Sequence, residues 1–531
     1  MKKTISIFLM IFISSHFYSQ KALSADYSYT VSAPYKVFDA TNKIYFTQDN
    51  EAMTLKFNED EIVIQKFNTD KPSFIKEQKY EKFFPKDYFP EDILKINNKY
   101  YLFYALWDKP NLKEQLFSIE IDFNKGEFIG TPKLVIQVDG RIFWSKENPT
   151  LVSATGQNKF RFLQSYDKKN LMIQYRKIQE KEKKVERLFD IMGLYAYDEN
   201  INKISGQEIK MPYKENRMDN IDSHIDNSGN IYMLTKVFHN DSNKEKKDKN
   251  DTEANYHLEL FLIKNGSDKI QISKFDNKDK FINKLWLFGT EKDYIICGGF
   301  YSNGKGYYDN SDGIITFKVK SDGSIYDEVS HEIPLEILNQ YESAGTVRKN
   351  EKNEQDGKDP QFSNLKFTDL VINDDGSLIF VGEQQYTTLY LGSRGTAYDV
   401  PYYDNLLVSK INANGTLAWM RKIPKSQEGA FFGKSYKLFK VDDYYYFIFL
   451  DNVKNIDLPI DKQPYLHKTG QGGYLTAVKI ADSDGASKKE SIMNIREVEE
   501  YGIHQISMTK FMRTGKNTLL FEAYKKKKED V

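Results

Sequence analysis

Three carboxylates, Glu383, Asp404 and Asp451, stand at the ends of apolar runs in the second half of the chain, together with Gln384, Lys425, Gln427 and Asn452. Carboxyl groups that face a cleft can perform general acid–base chemistry on a glycosidic bond. The same groups, fully hydrogen-bonded, only fasten a loop. Three nearby segments combine glycine and proline with tyrosine: GGFYSNGKGYYDNSDG (298–313), EQQYTTLYLGSRGTAYDVPYYDN (383–405) and LDNVKNIDLPIDKQPYLHKTGQGG (450–473). They carry Tyr301, Tyr307, Tyr308, Tyr386, Tyr390, Tyr398, Tyr402, Tyr403 and Tyr465. Tyrosine joins a flat apolar ring to a hydroxyl, which suits recognition of sugars or peptides. The alternative is that these rings pack their own loops together. The candidate ligand-binding set is Tyr301, Tyr307, Tyr308, Glu383, Gln384, Tyr386, Asp404, Lys425, Gln427, Asp451 and Asn452.

A further constellation, Asp222, His224 and Asp226, alternates along DNIDSHIDNSGN and places three polar groups on one face of a strand. That pattern suits a metal or an acid–base cluster. Asp226 is read more simply as the first residue of the turn that follows, so no metal or other cofactor is expected. Cys297, the one cysteine, sits in the apolar run DYIICGGF and is expected to be a buried thiol. No Gly-x-Ser-x-Gly elbow, phosphate loop or His-Glu-x-x-His is present. Active sites can be assembled from residues far apart in the sequence, so these absences weaken an enzymatic reading without removing it.

The elements that must position these groups repeat. A polar turn followed by an alternating aromatic and aliphatic run occurs eight times, at 41–48, 97–104, 157–164, 228–235, 291–298, 375–382, 442–449 and 515–522. Most copies are followed by a strand, a turn rich in Asp, Asn or Gly, and another strand, as in GIITFKVKSDGSIYDEV and LLVSKINANGTLAWMRKI. Period-2 alternation gives each strand one buried face, and the turn residues supply the positive φ of tight hairpins. Each repeat is thus about four antiparallel strands, and such sheets bury their faces by stacking into a ring. The expected fold is all-β: a single β-propeller of four-stranded antiparallel blades over residues 25–531. Eight blades are favoured and seven are allowed, with N- and C-terminal strands closing the ring. The run YSYTVS at 27–32 is the N-terminal candidate for closure.

Turns between strands one and two and between three and four read as short, while the other connections hold the insertions. One face is trimmed and the other elaborated, and loops on a rigid scaffold are where function concentrates. Two charge-rich loops, 241–255 and 348–361, lack apolar anchors and read as solvated, and 174–190 reads as a short exposed helix.

Positive and negative side chains balance at 76 each, which argues against a nucleic-acid partner. The N-terminus has a positive MKK, an apolar TISIFLMIFISSHF and small residues at ALSA, so residues 1–24 read as a signal peptide. The apolar run is shorter than the roughly 20 residues of a span, and no cysteine follows it for lipid attachment. The mature chain is expected to be exported, periplasmic or extracellular, with no membrane span and no lipoprotein anchor.

Over 297–455 the phrases GFYSN, GEQQY, WMRKIPKSQ and DNVKN resemble a group of exported bacterial propeller-like proteins. The resemblance implies export and the β-repeat fold. It carries no established activity, so it assigns no catalytic residue. INANGTLAW (411–419) also resembles the docking phrase of quinoprotein propellers, but only Trp419 fits a motif that those proteins repeat in most blades. The expected function is therefore a non-catalytic exported propeller that binds an envelope protein, a peptide or a glycan through its Tyr/Gly loops. The alternative is an envelope glycan hydrolase or lyase using Glu383, Asp404 and Asp451.

Overall fold

A computed structural model describes residues 20–530 apart from 22, 39, 41, 59–60, 143–157, 178–188, 247, 249–250, 278–279, 305–309, 392–395, 430–433, 469–471, 499–501, 507 and 526–528. The signal-peptide segment lies almost wholly outside the described residues. Among those described, no helix is long and apolar enough to cross a membrane.

Alternating aromatic and β-branched runs joined by tight polar turns fold into antiparallel sheets, each strand pairing with the next strand of its own blade. Seven four-stranded antiparallel blades make a propeller ring, at 42–81, 89–139, 161–214, 218–275, 281–332, 365–423 and 437–494. First strands of successive blades touch, as Arg161–Gln164, Met218–Ile225 and Phe281–Phe288 do, so they lie innermost. Core side chains fill the spaces between neighbouring blades. Tyr104, Phe103 and Phe261 are almost wholly buried there, and Cys297 is fully buried, its thiol pushed up by burial.

The eight-blade expectation is corrected to seven. Two of the eight phrases, 41–48 and 157–164, open first strands (Asn42–Gln48 and Arg161–Gln164), not second strands. The last phrase forms only the two-residue strand Leu519–Leu520, paired with Met512–Arg513. It has no further apolar hairpin from which to build a full blade.

Both chain ends do meet in the gap between blades seven and one. Tyr35–Lys36 pairs with Glu529–Asp530 in a sheet of short strands that also holds Ala523–Lys525 and Ile503–Ile506. The expected closing run at 27–32 instead lies beside blade seven, where Leu23 N donates to Ile492 O at 3.0 Å and Tyr27 and Tyr29 pack on its core. Arg513 spans the seam: its carbonyl accepts from Thr47 of blade one at 2.8 Å and its guanidinium donates to Lys440 O of blade seven at 3.1 Å.

Glu522 is the electrostatic centre of that seam. Its carboxylate accepts from Lys56 at 2.7 Å, Lys510 at 3.0 Å, Tyr35 at 2.7 Å and Tyr45 at 2.9 Å, with Lys43 at 3.7 Å. Burial alone raises its pKa, but Lys510, Lys56 and Lys43 outweigh burial and hold it well below the usual carboxylate range.

Two helices lie in the connection between blades five and six. α1 (Leu335–Asn339) is anchored by buried Ile337 and Leu338. α2 (Ala344–Gln355) is capped by the Ser343 side chain accepting from Thr346 N. The solvated loop expected at 348–361 is therefore helical over most of its length, although the helix buries no residue. The helix expected at 174–190 is replaced at its start by the strand Leu171–Lys177 and at its end by the strand Phe189–Tyr197, and 178–188 lie outside the described residues.

Candidate functional site

The strands Leu378–Leu391 and Ala397–Ile411 of blade six are far longer than the blade requires. Their inner halves pair within the blade. Their outer halves run on as a two-stranded ribbon, paired in register from Gln385↔Tyr403 to Leu391↔Ala397. Strongly β-forming residues on both strands account for this extension.

The ribbon has two faces, since residues directly opposite one another share a face. Tyr386↔Tyr402, Thr388↔Val400 and Tyr390↔Tyr398 lie on one; Thr387↔Pro401, Leu389↔Asp399 and Leu391↔Ala397 on the other. On the first face Tyr386 stacks on Tyr402 (centroids 5.1 Å apart, planes at 10°) and Tyr390 on Tyr398 (6.0 Å, 18°). The Tyr402 and Tyr390 hydroxyls meet at 3.5 Å, so the four rings form one strip. Tyr386, Tyr390 and Tyr398 are 37%, 46% and 55% exposed.

Carboxylates orient the base of the strip. The Tyr386 hydroxyl donates to Asp404 Oδ2 at 2.9 Å and the Tyr402 hydroxyl to Glu428 Oε2 at 3.4 Å. Burial, then the adjacent Asp404, raise the Tyr386 phenol pKa. The Tyr390 hydrogen bond, then burial, raise that of Tyr402. Both hydroxyls therefore stay protonated at neutral pH and remain donors.

Beneath the strip lies a closed polar hub. A register shift between Glu383 and Gln385 turns Glu383 inward. Glu383, Lys425, Gln427 and Ser435 are all 0% exposed. Lys425 Nζ lies 2.9 Å from Glu383 Oε1 and donates to Tyr403 O and Ser435 Oγ, each at 2.8 Å. Ser435 Oγ also donates to Glu383 Oε1 at 2.7 Å and contacts Gln427 Oε1, while Gln427 Nε2 donates to Leu450 O at 2.6 Å. Burial pushes the Lys425 pKa down, and Glu383 pulls it back up. Gln384 points the other way and ties the ribbon root to its neighbours, donating to Ser363 O and accepting from Asn405 Nδ2, both at 3.1 Å.

A second hub holds Asp451. Its Oδ2 lies 2.6 Å from Lys489 Nζ, and its Oδ1 accepts from Asn455 Nδ2 at 2.8 Å and from Asn452 N at 2.9 Å. Asn452 Nδ2 donates to Leu466 O at 2.8 Å, tying together the two sides of the 452–466 segment. Tyr301 is 5% exposed, away from the ribbon, its ring against Gly313. Tyr307 and Tyr308 lie outside the described residues.

The sequence candidates thus divide. Glu383, Lys425 and Gln427 come together inside. Tyr386 and Asp404 meet on the surface strip, and Asp451 and Asn452 brace a separate loop. Ser435, Asn405 and Glu428 complete these contacts without having been singled out. Their only sequence signal is position: Asn405 and Glu428 adjoin named candidates, and Ser435 lies between Gln427 and Asp451.

In the other constellation, Asp222 pairs with Arg161 at 2.6 Å and accepts from Leu287 N at 2.7 Å. Burial lowers the His224 pKa to about 4. Asp226 closes its turn by accepting from Ser228 N at 2.9 Å and Asn230 N at 2.8 Å. Among the described residues no group of three or more His, Cys, Asp or Glu side chains is placed to hold a metal ion.

No family model matches the sequence. No curated protein sequence matches it either. Among solved structures, the β-propeller domain of the Trilobed protease from Pyrococcus furiosus aligns at TM-score 0.33 and 10% identity, over 77% of this chain and 90% of that one. Prolyl oligopeptidase B from Galerina marginata aligns at TM-score 0.38 and 6% identity, over 85% of this chain and 51% of that one. The apocarotenoid oxygenase of Synechocystis gives TM-score 0.32 and 8% identity, over 70% and 69%. This chain spans about half the length of the Galerina enzyme it aligns with. Likenesses this distant carry no argument about activity, and the propeller assignment rests on the strand pairing itself.

Proposed function

We propose that this chain is an exported propeller that binds an envelope protein, a peptide or a glycan through its elaborated face, without catalysing a reaction. One observation carries the reading: a four-tyrosine strip on a ribbon that projects beyond its blade, with a rigid polar hub at its root. Exposed aromatics on a stiff support cost little entropy to immobilise, so their contact area converts well into affinity. The leader-like N-terminus supports export. The groups named for the enzymatic alternative have protein partners, which supports the binding reading. Glu383 and Asp451 are engaged in buried ion pairs, and Asp404 is the acceptor for Tyr386.

The test is binding of the purified chain to a glycan array and to solubilised envelope protein, beside a Tyr386→Ala/Tyr390→Ala variant. Binding that the variant loses while its melting temperature holds is the expected result. A chain that binds neither class yet cleaves an envelope glycan would overturn the reading.

A further inference from the structure

The two edges of the ribbon differ. On the inner strand's side, pairing with Leu365–Ile372 stops at Leu365↔Gln384, and the Gln385 N to Asn364 O bond of 2.9 Å is the last across that edge. From Tyr386 to Leu391 no described residue hydrogen-bonds that outer edge, and all six residues are exposed. The stretch reads YTTLYL, with strong β formers and no charge, proline or glycine. The opposite edge is guarded: it carries Asp399 and Pro401, pairs with Gln427–Glu428 at Tyr402 and Tyr403, and accepts from Gly429 N at Pro401 O. Native sheets blunt free edges with charge, proline or a covering strand, because an open edge recruits another strand. Among the described residues, this ribbon blunts one edge and leaves the other open.

We propose that the open edge, Tyr386–Leu391, pairs antiparallel with the same segment of a second copy of this chain about a two-fold axis. Antiparallel self-pairing is self-complementary and closes, so it yields a dimer and not a filament. Centred on Thr388, the register sets Tyr386 against Tyr390 of the second copy and Thr387 against Leu389. Aromatic residues then meet aromatic on one face, and β-branched threonine meets leucine on the other. The segment is uncharged and the chain's formal net charge is +0, so two copies approach without long-range repulsion. Five paired residues in each copy fall short of the ~1,000 Å² of a permanent interface, so the dimer dissociates on dilution. Pairing uses the backbone edge and leaves the tyrosine face open, so it stands apart from the proposed partner binding.

Sedimentation velocity over a concentration series tests this with the wild-type chain, Thr388→Lys, Leu389→Lys and Thr388→Cys. The wild type should reach the mass of two chains at the top of the series. Each lysine variant should move the midpoint about tenfold or more towards higher concentration, with an unchanged melting temperature. Thr388→Cys should form a covalent dimer on oxidation, since buried Cys297 does not compete. A wild-type chain that sediments singly throughout overturns the inference, as does a dimer indifferent to both lysine variants. A dimer that persists when no glycan or envelope protein binds would sink the proposed function and leave this inference standing.

Discussion

Two buried carboxylates hold this propeller at different places, and they are solvated by protein in different ways. At the seam Glu522 gathers three lysines and two tyrosine hydroxyls. At the ribbon root Glu383 has one lysine, and the remaining hydrogen bonds come from Ser435 and Gln385. The first is a local surplus of positive charge with one anion at its centre, joining segments from both ends of the chain. The second is a neutral pair sealed under a surface feature. Losing the anion is therefore costlier at the seam, where several cations are left facing one another and the ring itself is at stake.

Glu522→Gln keeps the shape and removes the charge. It should cost about 4 kcal/mol, read from the denaturant midpoint, and a loss below about 1 kcal/mol would erase the contrast. The acid limb sharpens it. Because the folded pKa of Glu522 is depressed, its contribution is complete above the ordinary value of 4.5 and drains away as pH falls from there towards the folded value. Wild type and Glu522→Gln should therefore converge in stability as pH drops below that value.

At the root, Glu383→Leu or Lys425→Met alone should cost about 3 kcal/mol. The double variant should cost much less than the sum, since replacing both partners leaves no unpaired buried charge. Limited proteolysis should then cut the ribbon before the ring in the single variants. Smallest of all, Tyr402→Ala on the strip should change stability by about 1 kcal/mol or less, the worth of one exposed stacked pair. A larger loss would mean that the strip is structural.

The rhythm of turns and alternating strands made the propeller legible, and the long Tyr-rich segment of blade six was marked correctly as an elaboration. Blade counting failed for a local reason. The last phrase, GKNTLLFE, reads like the others, but it forms only the short strand Leu519–Leu520, paired with Met512–Arg513, and builds no blade. The fate of Glu383, Lys425 and Gln427 was equally hidden. Charged groups at strand ends ordinarily face water. Only the register shift at Glu383 and the arrival of Ser435 from the next blade turn them inward. Tyrosine spacing predicted a surface; it could not reveal which strand edge had been left unguarded.

The Glu522 seam also orders events during synthesis. Lys56 belongs to a strand made early, and at 0% exposure it sits in a place with no water to receive its charge. Until Glu522 emerges, Lys56 lacks the buried carboxylate that accepts from it at 2.7 Å in the finished ring. A chain stopped before that residue should remain open and protease-sensitive however well its other blades have formed. The late carboxylate thus works as a completion signal, read by a lysine that has waited for nearly the whole length of the chain.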